Sequence, residues 1–280
     1  MLRADAIATL YLVHPVRKRI SSNKGKVPIL MYHSVSDSVR EHTHPYYRTV
    51  TNPEVFAQHM KYLHENGYSA VGLQEAVRCV EDSSNVRRQP VVITFDDGFR
   101  DFATHAFPIL QKYGFSATVF LPTAYIGGDA REFKGIACLT WGEVRELRKA
   151  GIEFGSHTVT HPQLRSMKAE DVGYEVRASK ETIEDELGCV VKSFAYPYAF
   201  PETDKLFTRR LRNTLEAVGY ESGVSTIIGT ADRSDDRFFM RRLPMNSCDE
   251  IRLFRAKIEG AYDWLHTVQY FAKAIKQFSK

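Results

Sequence analysis

Seven short runs rich in Val, Ile, Phe and Tyr, separated by longer stretches of helical period, constrain the fold of this chain more than any other feature of its sequence. They cover residues 27–32, 91–95, 116–121, 152–156, 190–196, 222–228 and 238–243. Apolar strands that alternate with helices belong to parallel sheets buried on both faces, so the pattern predicts βα units, and seven is a barrel-sized count. The class is therefore α/β, as a single domain. The 280 residues are 43% hydrophobic and can fill one substantial core, and no repeat, low-complexity tract or linker divides them.

The helices between the runs are well punctuated. Asn52 before Pro53 caps a helix with Phe56, Met60 and Leu63 on one face, stopped by Gly67. Thr140-Trp141-Gly142-Glu143 has capping-box spacing and opens a helix closed by Gly151. Residues 168–187 form a long charged helix ended by Gly188, and 203–218 a helix ended by Gly219. Residues 262–278 read as a terminal amphipathic helix with Leu265, Val268, Phe271, Ala272 and Ile275 inward. Segment 81–90 reads as an exposed loop.

Residues 1–26 form an N-terminal extension ahead of a domain that occupies 27–280. The apolar stretch 6–13 is too short to span a bilayer; Asp5 precedes it and the basic residues 17–19 follow it, opposite to a secretory signal. It is expected as a short surface helix or strand, with docking on a membrane surface or a lipid-linked glycan as the minor alternative. Without an export signal the expected location is the cytoplasm, with work on a lipid-linked precursor at the inner membrane face as the alternative. The 38 basic and 34 acidic residues, net +4, are scattered, so no nucleic-acid groove is indicated. Cys79, Cys138, Cys189 and Cys248 contain no C-x-x-C, which argues against a zinc-thiolate site and demands no disulfide.

Two stretches carry chemistry. In "VVITFDDGFRD" a buried strand ends on the adjacent carboxylates Asp96 and Asp97. In a parallel barrel such strand ends carry the functional groups. Two neighbouring carboxylates repel in a dry site unless a cation or a hydrogen-bond donor holds them, and a capped turn explains only one of the two. In "EFGSHTVTHPQL" His157 and His161 are four apart, so that on a helical turn they face the same way and share one metal. Thr158 stands where a zinc protease has its catalytic Glu, so a carboxylate must come from elsewhere. Two imidazoles and one of the two aspartates leave coordination positions for water and substrate, and the other aspartate is free to act as a base.

At "TFDDG" (94–98), "HTVTHP" (157–162) and "FAYPY" (194–198), in this order, the chain resembles the metal-dependent polysaccharide deacetylases, the NodB-homology enzymes of carbohydrate esterase family four. The resemblance spans about residues 27 to 245 and implies a distorted (β/α)7 barrel. It implies Asp96 as general base, Asp97, His157 and His161 as ligands of a divalent metal, most simply zinc with cobalt, nickel or iron as alternatives, and the Tyr198 N–H as an oxyanion donor. The implied activity is removal of N-acetyl groups from amino-sugar residues of an oligo- or polysaccharide, releasing acetate. An O-acetyl esterase and an idle glycan-binding barrel are the rival readings.

The chain departs from that family pattern in places. Ala195 stands where an arginine usually pairs with the base. Arg242, in "RRLPM", is the candidate substitute, a surface arginine being the alternative. Ala199 replaces a common glycine, which matters only if the position needs φ > 0. The late L-x-H motif is absent, whereas His33 ends the first strand in "VPILMYHSV". This resembles the circularly permuted biofilm-polysaccharide deacetylases and makes His33 the candidate general acid, with a His bonded to Asp37 as the alternative. Trp141 reads as packing, Met31, Phe115 and Phe120 as core, and "HTHPYYR" (42–48) as a loop with lining of a glycan groove as its minor reading.

Overall fold

All seven predicted runs form strands, and they pair in chain order. β1 (Ile29–Tyr32), β2 (Gln89–Phe95), β3 (Thr118–Leu121), β4 (Glu153–Ser156), β5 (Ser193–Ala195), β6 (Ser222–Ile228) and β7 (Met240–Pro244) are parallel, each bonded to the next. β1 bonds both to β2 (Tyr32 opposite Phe95) and to β7 (Leu30 opposite Leu243), which closes a single-domain (β/α)7 barrel. Closure gives each of the seven strands a neighbour on both sides. The structure is a computed structural model that describes residues 3–20, 25–38, 44–82 and 89–278.

Six strands place Ile29, Val92, Phe120, Ala195, Val224 and Met240 in one buried cluster, the barrel interior. Gly155 on β4 is required there, because a Cβ would come within 2.5 Å of the Phe120 ring. Leu73, Ala76 and Val80 of α2 (Leu73–Glu81) complete the same cluster. A larger cluster lies between the strands and the helices α1 (Pro53–Glu65), α3 (Phe107–Tyr113), α4 (Trp141–Lys149), α5 (Ala169–Leu187), α6 (Lys205–Val218) and α7 (Ile251–Ala256). Each large apolar side chain withdrawn from water here contributes about 1.5–3 kcal/mol. The caps form as the spacing predicts. Asn52 accepts from the Glu54 N–H, the Thr140–Glu143 capping box is complete, and Gly188 and Gly219 end their helices in the left-handed conformation.

Several elements differ from expectation. In α8 (Trp264–Phe278) Leu265 is buried, but Val268, Phe271 and Ala272 face solvent. The side of α8 that meets the barrel is polar: His266 and Lys273 bond to Glu202, and Gln269 to the Tyr46 hydroxyl. Ion pairs and hydrogen bonds, which hydrophobic period does not register, choose the face. The side chain of Ile275 lies outside the described residues. A strand at Tyr68–Ala70 beside the start of β2 was not foreseen, being too short for a period of two to show. Of the loop expected at 81–90, residues 83–88 lie outside the described residues, Glu81 ends α2, and Gln89 already begins β2.

The N-terminal extension is helical: Ala4–Ala8, a π turn at Thr9–Val13, then His14–Ile20. Arg3 bonds Asp5, Asp249 and the Tyr262 hydroxyl, and buried Thr9 accepts from Trp264 Nε1, so the segment is pinned to the barrel by polar contacts. No helix among the described residues is long and apolar enough to cross a membrane. Between β6 and β7 the chain runs as a loop, residues 229–239, without a helix.

Candidate active site

β2 ends at Phe95, and the Asp96 N–H donates to the Tyr32 carbonyl (3.0 Å), which fixes the start of the turn. Asp97 then takes a left-handed backbone, φ 72°. That reversal sends two neighbouring carboxylates in different directions. Asp96 turns into the barrel, where Arg242 of β7 donates to it twice, Nη1 to Oδ1 and Nη2 to Oδ2, both at 2.7 Å. Arg242 is fully buried and also donates to the Ser225 carbonyl and to Thr94 Oγ1. It is no surface arginine. Ala195, whose place the family pattern gives to an arginine, is buried in the interior, and the guanidinium reaches Asp96 from β7 instead. Burial pushes the Asp96 carboxyl up, but the Arg242 charge and the nearby imidazoles outweigh it and hold its pKa below the usual range.

The two histidines converge by a route the spacing did not predict. Residues 157–161 are not a helical turn. Thr158 (φ 70°) and His161 (φ 54°) are left-handed, and the loop is held by Glu175 of α5. The buried Glu175 carboxylate accepts from the Val159 N–H (2.7 Å), the Thr160 N–H (2.9 Å) and Thr160 Oγ1 (2.7 Å). Thr158 Oγ1 accepts from the His161 N–H. The imidazoles then lie with centroids 4.7 Å apart. His157 Nδ1 donates to the Ala195 carbonyl (2.8 Å), so its Nε2 lone pair faces the Asp97 carboxylate. Burial lowers the His157 pKa to about 4 and that of His33 in the same direction, the charges of Asp96 and Asp97 opposing it at both.

Asp97, His157 and His161 are all buried, and one ligand atom from each lies within 4.8 Å of the others. Asp97 Oδ1 is 3.2 Å from His161 Nε2 and 3.6 Å from His157 Nε2, yet it has no hydrogen-bond partner among the described residues. A buried carboxylate oxygen facing two imidazole nitrogens without a hydrogen bond is a donor set that could hold a cation. The residues present fit a divalent metal, and the two imidazoles and carboxylate are the types such a site uses.

These groups open into a cavity of about 400 Å³ that also includes His33, Tyr196, Tyr198 and Lys134. Among the described residues the non-glycine positions with positive φ are Asp97, Lys134, Thr158, His161 and Tyr198, and four of the five line this cavity. Strain of this kind persists where surrounding structure enforces it, and here it collects at one mouth. Tyr198 (φ 59°) packs edge-on against His161, and its backbone N–H has no acceptor among the described residues. Ala199 is not left-handed, so the glycine usual at that position is not needed. His33 lies at the mouth beside Asp96, because its neighbour Tyr32 is paired with Phe95; Asp37 accepts from Asn52 and not from His33.

The structure thus brings Asp96, Asp97, His157, His161, His33, Tyr198 and Arg242 together. Sequence reasoning missed two residues there. Lys134, at the tip of a hairpin, puts its ammonium 3.4 Å from Asp97 Oδ2 and over the Phe133 ring. Glu175 is hidden within a long charged helix, where one buried carboxylate looks like its exposed neighbours. Tyr46, Tyr47 and Arg48 of the loop after His33 and Met31 of β1 also border the cavity, which favours the minor reading of that loop and corrects that of Met31; His42 and Thr43 lie outside the described residues. Trp141, Phe115 and Phe120 pack, as expected.

Comparison with known proteins agrees with the barrel. A family model described as polysaccharide deacetylase matches residues 83–223, about half the chain. YxkH of Bacillus subtilis, named as a polysaccharide deacetylase, is 31% identical over 238 residues, 84% of this chain and 77% of that protein. The poly-β-1,6-N-acetyl-D-glucosamine N-deacetylase of Staphylococcus aureus is 28% identical over 163 residues, and the match spans 54% of each. Streptococcus pyogenes deacetylase PplD, solved in complex with acetate, superimposes with a TM-score of 0.73 at 26% identity, covering 83% of this chain and 98% of that one. With a family model over half its length and a relative aligned across most of both chains, this protein belongs to the polysaccharide deacetylase family.

Proposed function

We propose that this protein is a metal-dependent N-deacetylase of an amino-sugar polymer. The observation that carries the reading is the orphaned Asp97 oxygen between His157 and His161, one residue from a carboxylate that Arg242 holds ionised. A divalent cation bound by Asp97, His157 and His161 supplies Lewis acidity toward the acetamide carbonyl and acidifies water at the site. Asp96, kept charged by Arg242, takes a proton from the attacking water. The free Tyr198 N–H donates to the oxyanion as the new C–O bond forms. His33 carries a proton to the sugar nitrogen, the C–N bond breaks, and acetate and a free amine leave. The proton that Asp96 takes passes to His33, which lies beside it at the mouth. The polymer is assigned to the N-acetylglucosamine class because the Staphylococcus aureus relative, and one from Escherichia coli 30% identical over 141 residues, are named for poly-β-1,6-N-acetyl-D-glucosamine. The idle-barrel reading rests on Ala195, on Ala199 and on the displaced general acid; the Arg242–Asp96 pair weighs against the first of these.

The test is acetate release from β-1,6- and β-1,4-linked N-acetylglucosamine oligomers, and from an O-acetylated sugar, by chelator-stripped protein before and after zinc or cobalt. Release from the amide substrates that returns with metal is expected. Faster release from the ester alone would make the protein an O-acetyl esterase, and release indifferent to chelation would remove the metal from the account.

A further inference from the structure

A second cavity, of about 550 Å³, lies on the flank where the loop 229–239 takes the place of a barrel helix. One wall is a face of α6 carrying Lys205, Arg209 and Arg212 at successive turns, and Arg241 faces it from the start of β7. Its carboxylates are already engaged. Asp236 pairs with Arg212 (2.5 Å), Asp235 with Arg241 (2.7 Å), and Glu202 with His266 and Lys273 (2.8 and 3.0 Å). Lys205 and Arg209 are exposed and have no acidic partner among the described residues. The cavity therefore presents two uncompensated cations beside two guanidiniums, over the apolar side chains Phe200 and Ile227.

This cavity adjoins the catalytic one in the chain. Phe200 follows Ala199 and Ile227 follows Thr226, and Ala199 and Thr226 line the catalytic mouth. Thr226 Oγ1 ties the two segments together, accepting from the Phe200 N–H and donating to the Tyr198 carbonyl.

We infer that the α6 cavity is a subsite for an oxyanion, the carboxylate or phosphate of a neighbouring sugar on the same glycan, and that it selects acidic glycans over neutral ones. Guanidinium and ammonium groups at successive helical turns suit such a group. The inference deepens the proposed deacetylase reading, but its test is binding and does not depend on turnover.

The full chain, stripped of metal and dialysed free of chelator so that hydrolysis cannot contribute, is titrated calorimetrically with a hyaluronan tetrasaccharide, a chitobiose carrying a 6-phosphate on one of its sugars, neutral chitotetraose and inorganic phosphate. One or both acidic sugars should bind at least about tenfold tighter than the neutral oligomer, and Lys205→Gln/Arg209→Gln should abolish that advantage without changing the thermal midpoint. The preferred acidic sugar identifies the oxyanion. Should the double variant not fold, Arg209→Gln alone should lose part of the advantage, and raising salt from about 50 to about 500 mM should erode it in the unaltered chain. Equal affinity for acidic and neutral sugars, or an advantage that survives the substitutions, overturns the subsite. Inorganic phosphate binding as tightly as either acidic sugar overturns its assignment to a glycan.

Discussion

Asp249 and Asp97 are both buried carboxylates whose pKa values are held below the usual range, and the barrel treats them differently. Asp249 is saturated: Arg3 Nη1 donates to Oδ1 at 3.0 Å, and Lys257 Nζ and the Asn246 N–H donate to Oδ2 at 2.8 and 3.0 Å. Its partners come from the N-terminal extension, from α7's continuation and from the loop after β7, so the carboxylate joins three segments. Asp97 has one oxygen without a hydrogen bond and the other 3.4 Å from a lysine on a hairpin tip. A satisfied buried charge holds segments in place. An unsatisfied one, between two imidazoles in an open cavity, waits for a ligand.

Breaking each cluster should produce opposite symptoms. Asp97→Ala should lower acetate release by about three orders of magnitude or more and remove bound metal, measured by metal analysis alongside kinetics, while metal-free stability stays within about 1 kcal/mol. A variant that loses several kcal/mol of metal-free stability would place Asp97 with Asp249 as a structural charge.

Asp249→Ala should cost about 3–5 kcal/mol in denaturant unfolding, because it leaves Lys257 as a buried, uncompensated cation and removes one of the two carboxylates that hold Arg3, with kcat/KM of the folded fraction little changed. The pH dependence follows from the lowered pKa. Ionised Asp249 contributes fully above the ordinary aspartate range near pH 4, and the contribution is lost as pH falls through its folded pKa. The variant's stability should therefore fall less than the parent's on acidification below about pH 4.

The smallest expected effect sharpens the contrast within the mouth itself. Arg242→Met removes the charge that opposes burial at Asp96, so the Asp96 pKa should rise and the acid limb of the pH–rate profile should move up by about one unit or more. An unmoved limb would mean that Asp96 does not govern that limb. Asp96→Asn is the companion variant, expected to keep its metal and lose about two to four orders of magnitude in rate.

Much of this was legible in one sequence. The seven strands could be read because each is apolar along its whole length, and the helix ends because Asn52, Thr140, Gly188 and Gly219 act on the chain within a turn or two. The paired aspartates and the two histidines stood out because their residue types at the ends of apolar runs had no packing role. The loop of His157 and His161 was misread as helical because four-residue spacing is a helical signal only when the backbone is helical, and here two left-handed residues and Glu175 set the direction. The exposed face of α8 was misread because its inward contacts are ionic.

By itself the sequence determined the order of strands and helices and which side chains carry the chemistry, since propensity, capping and hydrophobic period operate over a few residues. Only the closed barrel decided who meets whom. Arg242 reaches Asp96 across 146 positions, Glu175 shapes the histidine loop from a different layer, Lys134 arrives on a hairpin, and the α6 cations face the loop that replaces a helix. Those contacts depend on the register of parallel strands and on loop geometry that no local pattern records.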